Sequence, residues 1–208
     1  MTTATDSLTP DDVLNILKQG NNDFAKGNLV IRNNPKRISE FASGQHPIAV
    51  VVSCMDSRVP VEDVFHRGIG ELFVLRIAGN FINEDILGSL EFACTISTAK
   101  LVVILGHEHC EGIKSAIKNV KSGNITNMLS KIQPAVASAV ATFDGEKTAS
   151  NPEFVSAVCL QNVKHAIDVI RTQSPILKGM EDKGVIKTVG GIYCMETGQV
   201  EFLSESRI

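Results

Sequence analysis

The sequence predicts an α/β fold: a central, mostly parallel sheet of four strands with an antiparallel edge strand, flanked by helices. Four apolar runs of strand length, rich in β-branched residues, are separated by segments in which apolar residues recur at helical spacing. This alternation is typical of parallel sheets, because each parallel connection needs a crossover, usually a helix. The run at 48–53 is apolar almost throughout and is therefore predicted to be a central strand, buried on both faces.

The other elements follow from the same patterns. Runs at 72–78, 101–106 and 185–193 are predicted to be the remaining parallel strands. A turn at 196–198 then leads to 200–203, which we predict to be the antiparallel edge strand. Helices are predicted over the segments with helical periodicity: 59–65, 86–98, 112–123, 124–142 (as one helix despite Pro134) and 154–173.

We treat residues 1–208 as one domain, with a helical arm at 1–40 and a core at 45–203. Thr9, followed by proline and two acidic residues, is a strong helix start, because threonine caps the first turn and acids favour the positive end of the helix dipole. The helix is expected to be interrupted near Gly20. Such an arm packs either on its own domain or on a second subunit, and the sequence leaves both open.

Composition narrows the function classes. Hydrophobic residues make up 43% of the chain and the net charge is −3, which fits a globular protein with no general basic field for nucleic acid. No apolar run approaches the roughly 18 residues of a membrane span, and the start lacks the features of a signal peptide. We therefore expect a cytoplasmic protein that binds neither nucleic acid nor membrane.

Five cysteines are present, and an odd number argues against a disulfide framework. Each cysteine is then either a metal ligand or a small buried apolar residue. For Cys94, Cys159 and Cys194, which lie on predicted helices or near a strand end, we predict a packing role.

Two short clusters of metal-ligating residues follow two different predicted strands. Cys54 ends the first strand, His107 follows the third, and Cys110 comes three residues later. Because the carboxyl ends of parallel strands meet at one edge of a sheet, these side chains can converge although they are far apart in the chain. Thiolate and imidazole suit Zn²⁺, and three protein ligands leave the fourth position open, as in catalytic sites.

Asp56 and Arg58 lie in the same loop as Cys54. A carboxylate there can accept a hydrogen bond from a water molecule on the metal, and a guanidinium can hold that carboxylate with two parallel hydrogen bonds. Asp56 could instead cap the next helix, but the pairing with Arg58 is the interpretation we favour. We predict both as catalytic residues.

These two clusters resemble the signature of β-class carbonic anhydrases, Cys-x-Asp-x-Arg followed later by His-x-x-Cys. The similarity extends over about residues 10–203 and includes matching blocks at 44–47, 71–80, 88–93 and 200–203. The resemblance implies reversible hydration of CO₂ to bicarbonate and a proton, with one Zn²⁺ per subunit on Cys54, His107 and Cys110.

The resemblance also implies a shared substrate site. Gln45 and Phe92 are both expected to come from a neighbouring subunit, Gln45 to bind substrate and Phe92 to complete the CO₂ pocket where many relatives have tyrosine. Phe73 is expected to line that pocket. Gly79 is added to the substrate-binding residues. The smallest active unit would then be a dimer, with a dimer of dimers as the larger alternative.

Two departures from the family pattern stand out. Glu111 occupies a place that is often glycine, and we expect its side chain to point to solvent. One branch of the family has an inhibitory bicarbonate site of Trp, Arg and Tyr. Arg76 and Tyr193 fit two of those places, but Val51 stands in the tryptophan place, so we predict no such site.

Two other functions remain open on the sequence. Relatives with the same ligands hydrolyse carbon disulfide or carbonyl sulfide, and a non-catalytic zinc scaffold would need only the three ligands. The presence of Gln45, Asp56 and Arg58 favours an enzyme over a scaffold.

Overall fold

The computed structural model describes residues 7–28 and 34–204, which contain a five-stranded sheet. In chain order its strands are β1 (Ala49–Ser53), β2 (Leu72–Arg76), β3 (Leu101–His107), β4 (Lys187–Tyr193) and β5 (Val200–Phe202). Across the sheet they run β2-β1-β3-β4-β5, and only the β4–β5 pair is antiparallel. The predicted sheet of four parallel strands with an antiparallel edge strand is confirmed.

Helices cover both faces of this sheet. Their bounds are α1 (Pro10–Ala25), α2 (Asn34–Phe41), α3 (Val61–Val64), α4 (Glu84–Thr95), α5 (Glu111–Ile117), α6 (Gly123–Ser130), α7 (Gln133–Thr142), α8 (Pro152–Gln173) and α9 (Pro175–Asp182). None of the helices within the described ranges combines the length and the apolar character needed to cross a bilayer.

The core lies in two layers, one on each side of the sheet. Val50 and Val52 of the central strand β1 face the layer that contains α4 and α8, whereas Ala49 and Val51 face the layer that contains α1 and α3. Successive side chains of a strand point to opposite faces, so a strand covered on both sides must be apolar throughout. All four of these side chains are fully buried, as predicted for a central strand.

The N-terminal helix α1 starts where the sequence places it. The Thr9 side chain accepts a hydrogen bond from the Asp12 N–H, and the Asp12 carboxylate accepts one from the Thr9 N–H, which completes a capping box. The predicted interruption at Gly20 is wrong, since α1 runs unbroken to Ala25. Glycine is needed there for a close approach: a Cβ at Gly20 would lie 2.0 Å from the Phe65 carbonyl oxygen.

Helix α1 of the arm packs on its own chain, whereas α2 has no buried residue. Val13 and Leu17 of α1 are fully buried against α3 and the sheet. Asn21 adds hydrogen bonds from its side chain to the carbonyl oxygens of Val64 and Gly198. The predicted arm residues 1–6 and 29–33 lie outside the described ranges.

Two further helix predictions need correction, and one helix was not predicted. The segment 124–142 is two helices, because Pro134 lies in the first turn of α7, where its missing N–H costs nothing. The helix predicted over 112–123 ends at Ile117, and Asn119 just beyond it takes a positive φ of 52°. Helix α9 was not predicted; it begins at Pro175, and the Ser174 side chain caps it by accepting a hydrogen bond from the Leu177 N–H.

Candidate metal centre

The candidate site lies at the carboxyl ends of three neighbouring parallel strands. The chain leaves β1 at Cys54, passes Gly79 soon after β2, and ends β3 at His107. From the carboxyl end of β1 the chain continues to β2 on one side, whereas from the neighbouring strand β3 it continues to β4 on the other side. Such a switch point opens a crevice at the strand ends, where open α/β sheets bind their ligands.

Cys54, His107 and Cys110 come together in this crevice. Their ligand atoms all lie within 4.8 Å of one another, and each of the three residues is buried. The two sulfur atoms are 3.9 Å apart. Two thiolates at about 2.3 Å from one tetrahedral zinc ion would stand about 3.8 Å apart, so the spacing of the sulfurs fits that ion.

The imidazole of His107 is oriented for ligation. Its Nδ1 lies 2.8 Å from the Glu108 carbonyl oxygen, which can only accept, so Nδ1 carries the proton and donates a hydrogen bond to that oxygen. Nε2 is then the unprotonated nitrogen, and it is buried with no hydrogen-bond partner among the residues that the structure describes. A buried polar atom left unpaired is costly, and a metal ion between Nε2 and the two sulfurs would satisfy it.

The two thiols ionise as a coupled pair. The pKa of Cys54 is lowered to about 4, chiefly because the Cys110 thiol hydrogen-bonds to its sulfur. The same contact, together with burial, raises the pKa of Cys110 far above its ordinary value. One thiolate therefore forms readily, but the second needs a cation beside it.

Asp56 and Arg58 form the expected pair. The Arg58 Nε and Nη2 atoms donate to the two carboxylate oxygens of Asp56 at 2.9 and 2.7 Å, and the Arg58 backbone N–H adds a bond of 3.0 Å. These hydrogen bonds hold the pKa of Asp56 well below its usual range. Asp56 Oδ2 lies 4.0 Å from His107 Nε2, so an ionised carboxylate faces the ligand cluster.

Arg76 supports the same loop through two hydrogen bonds to its backbone. Its Nε donates to the Cys54 carbonyl oxygen at 3.0 Å, and its Nη2 donates to the Asp56 carbonyl oxygen. Val51, in the place where the inhibitory site would need tryptophan, is fully buried in the sheet core. Within its own chain Arg76 is thus a support for the ligand loop.

Two supporting residues on α8 were missed by sequence reasoning. Asn162 donates from Nδ2 to the Gly79 carbonyl oxygen at 2.8 Å, and the Cys159 thiol donates to the His107 carbonyl oxygen at 3.4 Å. The Gly79 N–H in turn lies 3.4 Å from Cys54 Sγ. The available signal was a polar residue, Asn162, in the middle of the apolar stripe of a long helix.

Of the predicted substrate residues, Gly79 lies beside the ligand Cys54, whereas Gln45, Phe73 and Phe92 lie apart from the ligands within one chain. Phe73 on β2 and Phe92 on α4 line a groove of about 480 Å³, and none of the three ligands lines it. Phe92 is 55% exposed. Gln45 is exposed in the loop before β1, and since Cys54 follows the same strand, the two lie at opposite ends of it.

Two polar residues that follow His107 are exposed: His109 in the loop and Glu111 at the start of α5. The Glu111 side chain is 72% exposed and pairs with Lys114 Nζ at 2.8 Å, so the expectation that it points to solvent is confirmed. His109 is exposed and adopts a positive φ of 56°. Neither residue contributes to the ligand cluster.

A parallel sheet with a buried Cys-His-Cys cluster and a carboxylate–guanidinium pair at its switch point defines an α/β protein with a candidate catalytic metal centre. Residues 49–200 match the protein family described as carbonic anhydrase. A carbonic anhydrase of Mycolicibacterium smegmatis is 30% identical over 194 residues, which cover 90% of each chain. The chain therefore belongs to the carbonic anhydrase family, and within it to the β class, whose general activity is the hydration of CO₂.

Other relatives agree with this assignment. Carbonic anhydrase 2 of Mycobacterium tuberculosis is 29% identical over 195 residues, covering 88% of this chain and 87% of its own. The crystal structure of the β-carbonic anhydrase CafA of Aspergillus fumigatus matches with a TM-score of 0.73 and 25% identity, covering 93% of this chain and 90% of CafA. A tetrameric β-carbonic anhydrase of Sordaria macrospora shares the fold, with a TM-score of 0.73 at 21% identity over 93% of this chain and 98% of its own.

Proposed function

We propose that this protein is a zinc-dependent carbonate dehydratase that interconverts CO₂ and bicarbonate, with one Zn²⁺ per subunit held by Cys54, His107 and Cys110. The observation that carries the proposal is the buried ligand cluster, in which two sulfurs 3.9 Å apart lie beside an imidazole nitrogen that has no hydrogen-bond partner within the described ranges. Sulfur and nitrogen ligands in this number favour zinc with one open coordination position.

Zinc, when bound, supplies a Lewis acid that lowers the pKa of a water molecule so that it can act as a nucleophile near neutral pH. The chain's own residues orient that water. Asp56 stays ionised because Arg58 hydrogen-bonds both of its oxygens, so it can only accept a hydrogen bond. An acceptor fixed in this way turns the water so that a lone pair, rather than a proton, meets the carbon of CO₂.

We propose that a second copy of the chain completes the substrate wall with Gln45 and Phe92, and that Phe73 lines the CO₂ pocket. In its own chain Gln45 is at the far end of β1 from Cys54, so it can reach a metal centre only across an interface. Strand β2 has one neighbour, β1, among the described residues, which leaves its other edge open to a partner. The exposed Phe92, in the groove beside β2, fits a surface covered by another subunit.

The proposal is tested by zinc analysis coupled to stopped-flow CO₂ hydration on Cys54→Ser and on Cys94→Ser. We expect Cys54→Ser to lose zinc and hydration activity together. Cys94→Ser is the matched control, because Cys94 is a buried thiol in the α4 layer of the core with a pKa raised to about 12 by burial. Zinc-free Cys54→Ser protein that kept full hydration activity would contradict the proposal, and sulfide release from carbon disulfide on the same samples tests the alternative substrate.

A further inference from the structure

Helix α8 contacts the backbone on two sides of the ligand cluster, at the loop after β2 and at the end of β3, through two side chains on one of its faces. Asn162 Nδ2 donates to the Gly79 carbonyl oxygen at 2.8 Å, and Cys159 Sγ donates to the His107 carbonyl oxygen at 3.4 Å. Residues three apart are neighbours on a helix surface, and both of these are buried. The backbone next to two of the three proposed ligands is therefore held by the same helix.

Gly79 connects Asn162 to Cys54. Its N–H donates to Cys54 Sγ at 3.4 Å while its carbonyl accepts from Asn162. The residue has a φ of +80°, and a Cβ there would lie 2.5 Å from Ile132 Cδ1. Because Gly79 is packed this closely, fixing its carbonyl also limits how far its N–H can turn away from the sulfur.

Asn162 is an unusual residue for its position. It is 1% exposed on the apolar face of α8, where its neighbours on the helix, Val158, Val163 and Ala166, are buried apolar residues. An amide in such surroundings costs free energy unless it is hydrogen-bonded. An apolar side chain could fill the space equally well, but it could not donate to the Gly79 carbonyl.

We propose that Asn162 is a positioning residue of the metal centre, which aims the Gly79 N–H at the Cys54 sulfur by holding the Gly79 carbonyl. The inference rests on the proposed function, since it takes Cys54 to be a zinc ligand. Hydrogen bonds from surrounding groups orient metal ligands and adjust the charge that they present to the metal. Asn162 thus sets how firmly Cys54 binds the metal, although it contacts neither metal nor substrate.

The test compares the parent protein with Asn162→Leu, which keeps a similar volume but has no donor. The control is Ile170→Val, a change in a side chain 1% exposed two turns further along α8. Two quantities are measured besides thermal stability: the zinc dissociation constant by chelator competition, and the sulfur-to-cobalt charge-transfer band of the Co²⁺-substituted protein. A merely structural asparagine would change the melting temperature alone.

We expect Asn162→Leu to raise the zinc dissociation constant about 10- to 100-fold, the usual effect of losing a group that supports a metal ligand. The charge-transfer band should move to lower energy, because a sulfur that loses its N–H donor gives up electrons more easily. Ile170→Val should leave both quantities at the parental values. The inference is overturned if Asn162→Leu binds zinc as tightly as the parent and its band does not move.

A measurement on the unmodified chain keeps the inference falsifiable if Asn162→Leu does not fold. In protein loaded with NMR-active cadmium, the Gly79 amide proton should show scalar coupling to the metal through the hydrogen bond to Cys54 Sγ. Absence of that coupling overturns the inference. A parent that binds zinc and hydrates CO₂ with no such coupling would refute the role of Asn162 alone, whereas a parent that binds no zinc would refute the proposed function as well.

Discussion

The Arg58 side chain holds Asp56 through both carboxylate oxygens, and the geometry of that contact fixes the rotation of the carboxylate. We predict that Arg58→Lys lowers the rate of CO₂ hydration about 10- to 100-fold with little change in zinc content, because an ammonium keeps the charge but cannot make the two parallel bonds. Stopped-flow hydration assays and metal analysis check this. Arg67→Lys, which alters an arginine paired with Glu71 away from the ligands, is the control.

Full activity in Arg58→Lys would mean that a positive charge alone is sufficient at this position. Rates well below those of Arg67→Lys, at equal zinc content, would support the bidentate contact as the decisive feature.

At the scale of residues, contacts between neighbours in the sequence could be predicted, whereas contacts between distant segments could not. Asp56 and Arg58 are two positions apart in one loop, so their contact follows from the motif. The contact from Asn162 to Gly79 joins residues 83 positions apart and depends on where α8 crosses the sheet. No local pattern carries that information, which is why the motif residues were predicted and the residue that supports them was not.

At the scale of elements, two glycines should respond to the same substitution with opposite signs. Gly20→Ala should destabilise the protein by about 3 kcal/mol or more, because the new Cβ would meet the Phe65 backbone, which cannot move aside without shifting α3. Gly179→Ala should stabilise it by about 0.5–1 kcal/mol, because Gly179 lies inside α9 with open space around its Cβ position. Urea unfolding followed by circular dichroism measures both changes.

Equal effects of the two alanines would show that helix propensity alone governs both positions. A stable Gly20→Ala protein would show that α1 can move away from α3 at little cost.

The capping box of α1 gives a pH dependence. The hydrogen bonds from the Thr9 side chain and backbone N–H to Asp12 lower the pKa of that carboxylate from its ordinary value of 3.8. A lowered pKa means that the stabilisation is complete above the ordinary value and is lost as the pH falls through the lowered value. The difference in unfolding free energy between parent and Asp12→Asn should therefore be constant from neutral pH to about pH 5 and shrink below 3.8.

The control for this experiment is Asp144→Asn, in the loop after α7, which lies outside any helix cap. Urea titrations at several pH values measure the differences. If the effect of Asp12→Asn were as large at pH 3 as at neutrality, an uncharged role of the side chain would explain it instead.

The helix errors have one physical cause. Reasoning from local propensity predicts a helix break at glycine and a continuous helix through a proline that lies in a strong apolar stripe. In the structure, the helix continues through Gly20, and a new helix begins at Gln133, just before Pro134. Glycine at position 20 stays in the helix because another backbone approaches it, and that approach is a tertiary contact. Pro134 lies in the first turn of α7, where no helical hydrogen bond needs its missing N–H. Strands β1 and β3 were predicted because their burial on both faces requires a continuous apolar run.

At the scale of the whole molecule, the site is expected to be divided between subunits. Each chain holds its ligand cluster at one end of β1 and Gln45 at the other. A two-fold dimer would place two such sites across one interface, each with ligands from one chain and Gln45 from the partner.

Mixed dimers test this division. Gln45→Ala and Cys54→Ser should each be weakly active or inactive alone, but a purified mixed dimer has one complete site and should regain about half the activity of the parent dimer. Differently tagged chains, co-expressed and purified in sequence, provide the sample. A mixed dimer of Cys54→Ser with Cys110→Ser is the control, because neither chain then has a full ligand set. Activity no greater than that of the separate variants would place Gln45 in the site of its own chain.

The two contacts from α8 also bear on when the metal can bind during chain synthesis. All three proposed ligands exist once residue 110 has been made, but Cys159 and Asn162 follow some fifty residues later, and β4, which pairs with β3, follows α8. A nascent chain halted after α7 would contain the three ligands but not the helix that supports the backbone at Gly79 and His107. We therefore expect tight metal binding only near the end of chain synthesis. The metal ion would then bind a nearly complete fold and would not direct the folding of the earlier segments.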